Sequence, residues 1–368
     1  MGKFINFIGN KLFSSKAKQL PEEVNNILII RSGGIGDVLM TTPLATAIRG
    51  KYPDSKIYYL TGNWSKEALE GNKNINDIIT FDDEIIFKKK LFKVFSLIKS
   101  LRKRKYELCF VLDKSWQWSL LAFLAGAKFR IGFNRNKEGF ANNLNVPYDG
   151  SKYELDYYLG IAEMLGIKII DKDMLLSLSE EDLKSADDFC LNNNLKHKTL
   201  IGIAAGGAEN PGQKMHIKRW SKEKYIALIK RILEKKKDAV VLLFGGENDL
   251  KLNDYILNET DKIRVYNLVG KATIKQSAAL IKKCKAFVTH DSGTMHIASI
   301  TKVPLIALFG PTDPNRFAPK NAIIMRNEVK CSHCYDIYGR YNEECKDTKC
   351  MNIAVKDVYE KVNSILTA

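Results

Sequence analysis

The chain has 368 residues, of which 45% are hydrophobic and 27% are charged. This is a globular composition, and a chain of this length is expected to form two domains. No apolar run reaches the roughly 18 residues that a membrane-spanning helix needs, and no secretory cleavage site follows the N-terminus. We therefore predict a cytoplasmic protein. The formal net charge of +16 indicates anionic partners, although a lysine-rich composition that serves solubility alone is the alternative.

Residues 1–24 form an N-terminal extension in which apolar side chains recur at helical spacing among several lysines. The apolar positions are Met1, Phe4, Ile5, Ile8, Leu12 and Phe13. Such a basic amphipathic helix is typical of segments that lie on anionic membranes. A helix that packs on the first domain is the other interpretation.

Strand-like and helix-like segments alternate from Ile27 onward, which predicts an α/β protein with parallel, doubly wound sheets. A helix is predicted from about Val38 to Lys51, directly after the first strand. The alternation starts again near residue 198. We predict Rossmann-like domains over residues 25–180 and 181–352, followed by a C-terminal helix over residues 353–368 that can cross back to the N-terminal domain. In such a protein, ligands bind between the domains, at the carboxyl ends of the strands.

The first strand runs into the turn RSGGIGD, which ends at Asp37. Gly34 and Gly36 fit the first two glycines of a dinucleotide-binding fingerprint, but Leu39 stands at the third position. No Gly-Lys-Ser/Thr follows, which excludes a Walker loop. Asp37 begins a helix, where a carboxylate serves either as a cap or as a general base for a hydroxyl. The residues alone leave these two roles open.

Glycine-bearing polar loops follow several strands of the second half and predict a phosphate-bearing ligand there. Gly206 and Gly207 follow one strand and precede Lys218, and backbone N–H groups with a lysine hold a diphosphate without a metal. The nearby Lys214 is a second candidate for this role. Glu247 follows another strand, where a carboxylate can accept hydrogen bonds from ribose hydroxyls.

A third loop leads from a strand into a helix and suits phosphate in the same way. It contains Asp291, Ser292, Gly293 and Thr294. Catalysis by one of the flanking histidines, His290 or His296, is the less favoured interpretation, because His296 on a helix face is more typical of a packed, hydrogen-bonded side chain.

The motifs resemble those of glycosyltransferase family nine, the lipopolysaccharide heptosyltransferases. The similar segments are spread from Ile27 to about Val362, and the longest of them is the most specific. They are RSGGIGDVLMTTP, GGAENPGQKMHIKRW, FGGEND and HDSGTMHIASITKVPLIALFGPTDP. The chain departs from some members of the family at Ala204 and Ala205, next to Gly206 and Gly207, where those members have a hydroxyl pair.

The resemblance implies the GT-B fold, in which two Rossmann-like domains face each other, and an inverting transfer that needs no metal or other cofactor. It places the acceptor on the side of Gly34 and Gly36, with Asp37 as general base. It places the nucleotide sugar in the second domain. The residues implied there are Lys218 for the diphosphate, Glu247 for the ribose, and Asp291, Ser292, Gly293 and Thr294 for the sugar and diphosphate.

The reaction implied by the resemblance moves heptose from ADP-heptose onto an anionic glycolipid, the lipopolysaccharide core. The enzyme would lie peripherally on the cytoplasmic face of the inner membrane. One alternative keeps the chemistry with another nucleotide sugar or another surface-glycan acceptor. A second alternative is a non-catalytic protein that binds a nucleotide sugar. Nucleic acid is not an expected partner, because the chain has none of the common nucleic-acid-binding motifs.

The segment from Phe87 to Lys105 combines nine lysines and arginines with an apolar stripe. Its periodicity predicts a helix over residues 86–105 whose apolar side packs on the first domain. Its basic side can also meet membrane phosphates or the anionic acceptor. These two interpretations are compatible.

Four cysteines crowd together near the C-terminus with the spacing Cys-x₂-Cys-x₁₀-Cys-x₄-Cys. They are Cys331, Cys334, Cys345 and Cys350. In a cytosolic protein this spacing favours a structural zinc site. Free thiols and disulfides are the alternatives.

Overall fold

The computed structural model describes residues 20–21, 23–82, 91–210, 213–341, 344–345 and 347–368. The predictions for the N-terminal helix and for the first residues of the basic segment lie outside this part. The chain folds into two compact units, Met1–Leu175 and Leu176–Ala368, where the sequence predicts a boundary at residue 180. Each unit contains a parallel sheet with helices, so the predicted α/β class is confirmed.

The described part of the first unit contains a parallel sheet with the strand order β3-β2-β1-β4-β5-β6. Its strands are β1 (Asn26–Ile30), β2 (Lys56–Gly62), β3 (Asp77–Phe81), β4 (Leu108–Val111), β5 (Phe129–Asn134) and β6 (Leu144–Pro147). Its helices are α1 (Ile35–Leu39), α2 (Thr42–Lys51), α3 (Leu91–Arg102), α4 (Trp116–Leu124) and α5 (Glu154–Met164). The central strands β1 and β4 are almost wholly apolar and buried, as expected for strands covered on both faces.

The described part of the second unit repeats this plan with the order β11-β10-β7-β12-β13-β14 and adds a small hairpin, β8–β9. The strands are β7 (Thr199–Ala204), β8 (Glu209–Asn210), β9 (Gln213–Lys214), β10 (Ala239–Leu243), β11 (Val265–Asn267), β12 (Ala286–His290), β13 (Leu305–Phe309) and β14 (Ala322–Arg326). The helices are α6 (Glu180–Asn192), α7 (Lys222–Lys235), α8 (Leu250–Asn258), α9 (Ile274–Ile281), α10 (Gly293–Ile300), α11 (Pro314–Phe317) and α12 (Val355–Thr367).

Helix α7 shows how the sequence builds this unit. The hydroxyl of Ser221 accepts a hydrogen bond from the backbone N–H of Lys224 and caps the helix N-terminus. Its buried side chains recur at helical spacing and face the core: Tyr225, Leu228, Ile229, Ile232 and Leu233. The C-terminal helix α12 packs Val358 and Val362 into the same core.

The single helix predicted from Val38 to Lys51 is wrong, because the structure has two helices there. Helix α1 ends at Leu39, and α2 begins at Thr42 with Pro43 in its first turn. A proline lacks a backbone N–H and is favoured in the first turn of a helix, so the break falls just before it.

Both sheets have the strand order 3-2-1-4-5-6 of the doubly wound fold, counted within the main sheet of each unit. In this topology, ligands bind at the carboxyl ends of the first and fourth strands, where the direction of the connections reverses. In the first unit these are the ends of β1 and β4, and in the second unit they are the ends of β7 and β12. Ligand-binding residues are therefore expected at these two positions.

Candidate functional site

Asp37 lies at the end of β1, on the short helix α1, and its carboxylate is held at both oxygens. Its Oδ1 accepts a hydrogen bond from Nη2 of Arg31 at 2.7 Å, and its Oδ2 accepts one from the N–H of Gly34 at 3.2 Å. The second contact is a capping interaction, since Gly34 is the N-cap residue. The side chain is nevertheless 33% exposed. Asp37 thus caps the helix while a third of its side chain stays exposed to solvent.

The position of the Asp37 carboxylate depends on the buried side chain of Arg31. Nη1 of Arg31 donates to Oδ1 of Asp113 at 2.5 Å, and its Nε donates to the hydroxyl of Tyr158 at 3.1 Å. Asp113 also accepts from the N–H of Ser32 at 2.6 Å. Burial lowers the pKa of Arg31, but the adjacent carboxylates, Asp37 foremost, offset this and the net shift is upward. Arg31 is therefore a permanent cation that links the ends of β1 and β4.

In the second unit, the loop that contains Gly206 and Gly207 is fixed by two charged side chains. Oδ1 of Asp249 accepts from the N–H of Gly207 at 2.8 Å, and Nε of Arg219 donates to the carbonyl of Gly207 at 2.9 Å. A Cβ added to Gly206 would lie 2.1 Å from Cγ of Asp249, and Gly207 has a φ of +91°. Both positions therefore require glycine.

Lys218 points to the end of β12, where its Nζ donates to Oδ2 of Asp291 at 2.8 Å. The ammonium group also lies 5.4 Å from the centroid of the Tyr335 ring, within range of a cation–π interaction. Burial raises the pKa of Asp291, but Lys218 more than offsets this, so its net pKa is lowered and it is ionised at neutral pH. Lys214 instead is 74% exposed on the β8–β9 hairpin, 3.6 Å from Glu209. The geometry favours Lys218 as the cation of this site.

Helix α10 begins directly after Asp291 and presents its N-terminus at the same place. Ser292 is the N-cap residue, but its side chain makes no capping hydrogen bond. Within the described residues, the N–H groups of Gly293 and Thr294 have no hydrogen-bond partner. A Cβ added to Gly207 would lie 3.2 Å from Cβ of Ser292, so the glycine loop and the helix N-terminus are adjacent. Unpaired N–H groups beside a lysine form an anion site.

Comparison with known proteins shows the family of the chain. A family model described as glycosyltransferase family 9 (heptosyltransferase) matches residues 94–343, which is more than half of the chain. The chain belongs to glycosyltransferase family 9. It is therefore a glycosyltransferase, as the sequence motifs predict.

The family 9 chain is similar to curated relatives over most of its length. It is 29% identical to lipopolysaccharide heptosyltransferase 2 of Salmonella typhimurium over 311 residues, which cover 80% of this chain and 84% of the relative. It is 27% identical to lipooligosaccharide heptosyltransferase 2 of Campylobacter jejuni over 344 residues, which cover 90% of this chain and 95% of the relative.

Solved structures confirm the predicted GT-B fold of this family 9 member. The structure of E. coli ADP-heptose lps heptosyltransferase II matches with a TM-score of 0.73 and 24% identity, over 93% of this chain and 98% of that one. The family 9 glycosyl transferase from Veillonella parvula matches with a TM-score of 0.77 and 22% identity, over 96% of this chain and 99% of that one.

The remaining sequence candidates of the family 9 chain have different surroundings. Glu247 is exposed in a short 3₁₀ helix after β10, and its role toward ribose stays a prediction. His290 is fully buried, and burial lowers its pKa to about 3. It is therefore neutral near pH 7, and its Nδ1 lies 3.4 Å from the Tyr225 hydroxyl. His296, for which the sequence predicts a packed side chain, is buried as well, at 4% exposure.

All four C-terminal cysteines are free thiols in the structure. Burial, and then the charges of Cys334, Cys345 and Cys331, raise the pKa of Cys350 to about 11. The described His, Cys, Asp and Glu side chains nevertheless form no group of three arranged to hold a metal. The zinc site stays a prediction.

Sequence reasoning missed Arg31, Asp113 and Asp249 as site residues. Asp113 lies two residues beyond the end of β4, and a polar residue near a strand end is a signal that the sequence already shows. Asp249 lies two residues beyond Glu247, in the same FGGEND motif. Neither signal reveals the partner, because these side chains contact residues that are distant in the sequence.

Proposed function

We propose that this glycosyltransferase transfers a heptose from ADP-heptose to a lipopolysaccharide core acceptor. The observation that carries the proposal is the anion site in which Lys218, Asp291 and the N-terminus of α10 come together. It suits the diphosphate of a nucleotide sugar. The names of the curated relatives, which are heptosyltransferases of lipopolysaccharide and lipooligosaccharide, support the choice of sugar and acceptor.

The proposed reaction is a single displacement that inverts the anomeric centre. Asp37 accepts the proton of the acceptor hydroxyl, whose oxygen bonds to the anomeric carbon of heptose. The bond between that carbon and the phosphate oxygen breaks, and its electron pair leaves with ADP. Lys218 and the N–H groups of Gly293 and Thr294 stabilise the negative charge that grows on the diphosphate. In this proposal these donors do the work of a metal ion.

Asp37 is supported in this role by the way its neighbours hold it. Arg31 fixes the carboxylate through Oδ1, and the exposed part of the side chain is open to an incoming hydroxyl. A positioned base of this kind contributes about 10²–10⁴-fold to a rate.

We further propose that the enzyme acts peripherally on the cytoplasmic face of the inner membrane, where it takes an anionic glycolipid. The net charge of +16 supports an anionic surface as partner. Among the described residues, no helix is both long and apolar enough to cross a membrane.

A thermal-shift screen tests the donor. The protein is heated with ADP, GDP, UDP or CMP and with the corresponding nucleotide sugars, because a ligand that binds the native state stabilises it. We expect a selective rise in Tm with ADP and ADP-heptose. A rise with another nucleotide would keep the chemistry and discard ADP-heptose.

A transfer assay separates the enzyme from a non-catalytic nucleotide-sugar-binding protein. We expect release of ADP from ADP-heptose that depends on a lipopolysaccharide core acceptor and is lost in the Asp37→Asn variant. Tight binding of ADP-heptose without any acceptor-dependent release would favour the binding protein.

We also propose that Cys331, Cys334, Cys345 and Cys350 hold a structural zinc ion. The support is their spacing in the sequence and the fact that all four thiols are free. Metal analysis of the purified protein tests this, together with Tm before and after chelation. We expect about one zinc ion per chain and a lower Tm without it, whereas a metal-free protein of unchanged Tm would exclude the site.

A further inference from the structure

Helix α3 of the first unit has one buried side and one side that the described residues of this unit leave exposed. Leu101 is fully buried, and Val94, Leu97 and Ile98 pack against the same hydrophobic cluster. This attachment fixes the orientation of the helix. The other side therefore has a defined set of exposed residues.

Two phenylalanines stand on that other side. Phe92 is 93% exposed and Phe95 is 70% exposed. They are three positions apart on a helix, so their rings are neighbours on one face. Large aromatic side chains are rarely left in water in this way unless the surface has a partner.

The exposed charged side chains of the segment from Leu91 to Lys105 are all positive. The exposed charged residues from Leu91 to Lys105 are Lys93, Lys99, Arg102, Lys103 and Lys105. The sequence has no aspartate or glutamate between Leu91 and Tyr106. Lys93 pairs with Asp82 at 2.8 Å, at the edge of this surface. The partner must therefore accept aromatic rings and carry negative charge.

We propose that this face of α3 docks on an anionic lipid bilayer. Phe92 and Phe95 insert at the level of the lipid headgroups, and the surrounding cations contact lipid phosphates. Apolar rings beside lysines and arginines are the combination that interfacial helices use. The proposal rests on the proposed function only in that a glycolipid acceptor resides in such a bilayer.

Vesicle co-sedimentation of the full chain tests the surface. The vesicles contain phosphatidylcholine with or without phosphatidylglycerol, and no nucleotide is added. We expect binding that needs phosphatidylglycerol and weakens with salt. Replacing both rings, Phe92→Ser with Phe95→Ser, should lower the partition coefficient about tenfold or more, since binding scales with buried apolar area. Lys99→Gln and Lys103→Gln should each lower it by about fivefold.

Ile263→Ser is the matched control, because Ile263 is 83% exposed but lies in the second unit, away from this basic set. It should leave vesicle binding unchanged. The proposal is overturned if the double phenylalanine variant binds like the unmodified chain, or if the control loses binding to the same extent. Loss of activity in that variant with unchanged vesicle binding would indicate a protein partner instead and would also overturn it.

Insertion can be measured directly, independently of any other segment that binds lipid. In the Phe95→Trp variant, brominated lipids should quench more fluorescence than in the unmodified chain. In the Ile263→Trp variant, brominated lipids should quench no more fluorescence than in the unmodified chain. Thermal shifts with ADP-heptose, measured without vesicles, should be the same in all variants. A failure of the docking surface is thereby distinguishable from a failure of the proposed reaction.

Discussion

The ammonium group of Lys218 donates to the carboxylate of Asp291 at 2.8 Å, and both side chains are largely shielded from solvent. The two residues are 73 positions apart in the sequence. Lys218 therefore has two roles, since it neutralises the buried carboxylate of Asp291 and is also the cation of the proposed diphosphate site.

Replacing Lys218 should affect rate and stability together. Lys218→Met is expected to lower kcat by roughly 10²–10³, because a preorganised donor to the leaving diphosphate is lost. It should also lower the free energy of unfolding by about 3–5 kcal/mol, because Asp291 stays buried without its cation. Steady-state kinetics and urea denaturation measure the two effects.

Two further variants separate these contributions. Adding Asp291→Asn to Lys218→Met should recover part of the stability but none of the rate. Lys214 is exposed on the β8–β9 hairpin, so Lys214→Met should change neither kcat nor the free energy of unfolding by much. A rate restored by the double variant would contradict the proposed role of Lys218.

Asp37→Asn should remove transfer while leaving donor binding intact. We expect the transfer rate to fall by about 10²–10⁴, since asparagine cannot accept the proton. Donor affinity should not change, because the anion site is built from residues of the second unit. Single-turnover kinetics and calorimetric titration with ADP-heptose check the two statements. Equal losses in rate and affinity would argue against a general base.

Gly206→Ala should weaken donor binding through a steric effect. The added methyl group would lie 2.1 Å from Cγ of Asp249, the residue whose Oδ1 holds the N–H of Gly207. The loop must then move, at the cost of about 1–3 kcal/mol that is typical of overpacking. We therefore expect the dissociation constant for ADP-heptose to rise at least about tenfold. Gly246→Ala is the control, because nothing lies within 4 Å of the Cβ it would add. Similar affinities for the two variants would exclude this explanation.

His290 should make the stability of the protein depend on pH. Its pKa is lowered to about 3 by burial, whereas an unfolded histidine titrates near 6.5. Between these values only the unfolded state takes up the proton, so the contribution of His290 is present above pH 6.5 and is lost as the pH falls toward 3. Between pH 6 and pH 5, His290 should lower the free energy of unfolding by about 1 kcal/mol for each unit by which the pH falls.

The His290→Gln variant removes this contribution. Denaturation at a series of pH values measures the free energy of unfolding. Between pH 6 and pH 5 this free energy should change less steeply with pH than in the unmodified chain, by about 1 kcal/mol per pH unit. The exposed His197 provides the control, and His197→Gln should keep the original slope. An unchanged slope in His290→Gln would mean that the buried imidazole takes up a proton.

The sequence by itself determined the chain-local features of this protein. The apolar runs of the central strands and the glycine-bearing loops at their ends are short-range patterns, and they predicted the α/β class and the positions of Asp37, Lys218 and Asp291. The sequence did not predict the outer strands β6 and β14. These strands are only partly buried, so apolar and polar residues are mixed in their sequences.

Only the tertiary structure decided which loops meet. Arg31 and Asp113 are 82 residues apart, and Gly207 and Asp249 are 42 apart. Their contacts exist because crossover connections bring the carboxyl ends of parallel strands to one edge of each sheet. Hydrophobic periodicity indicates that a segment is a strand, but it does not specify the strand's neighbours, because every buried parallel strand has a similar apolar pattern. The side chains that hold Asp37 and the glycine loop in place therefore became visible only in the fold.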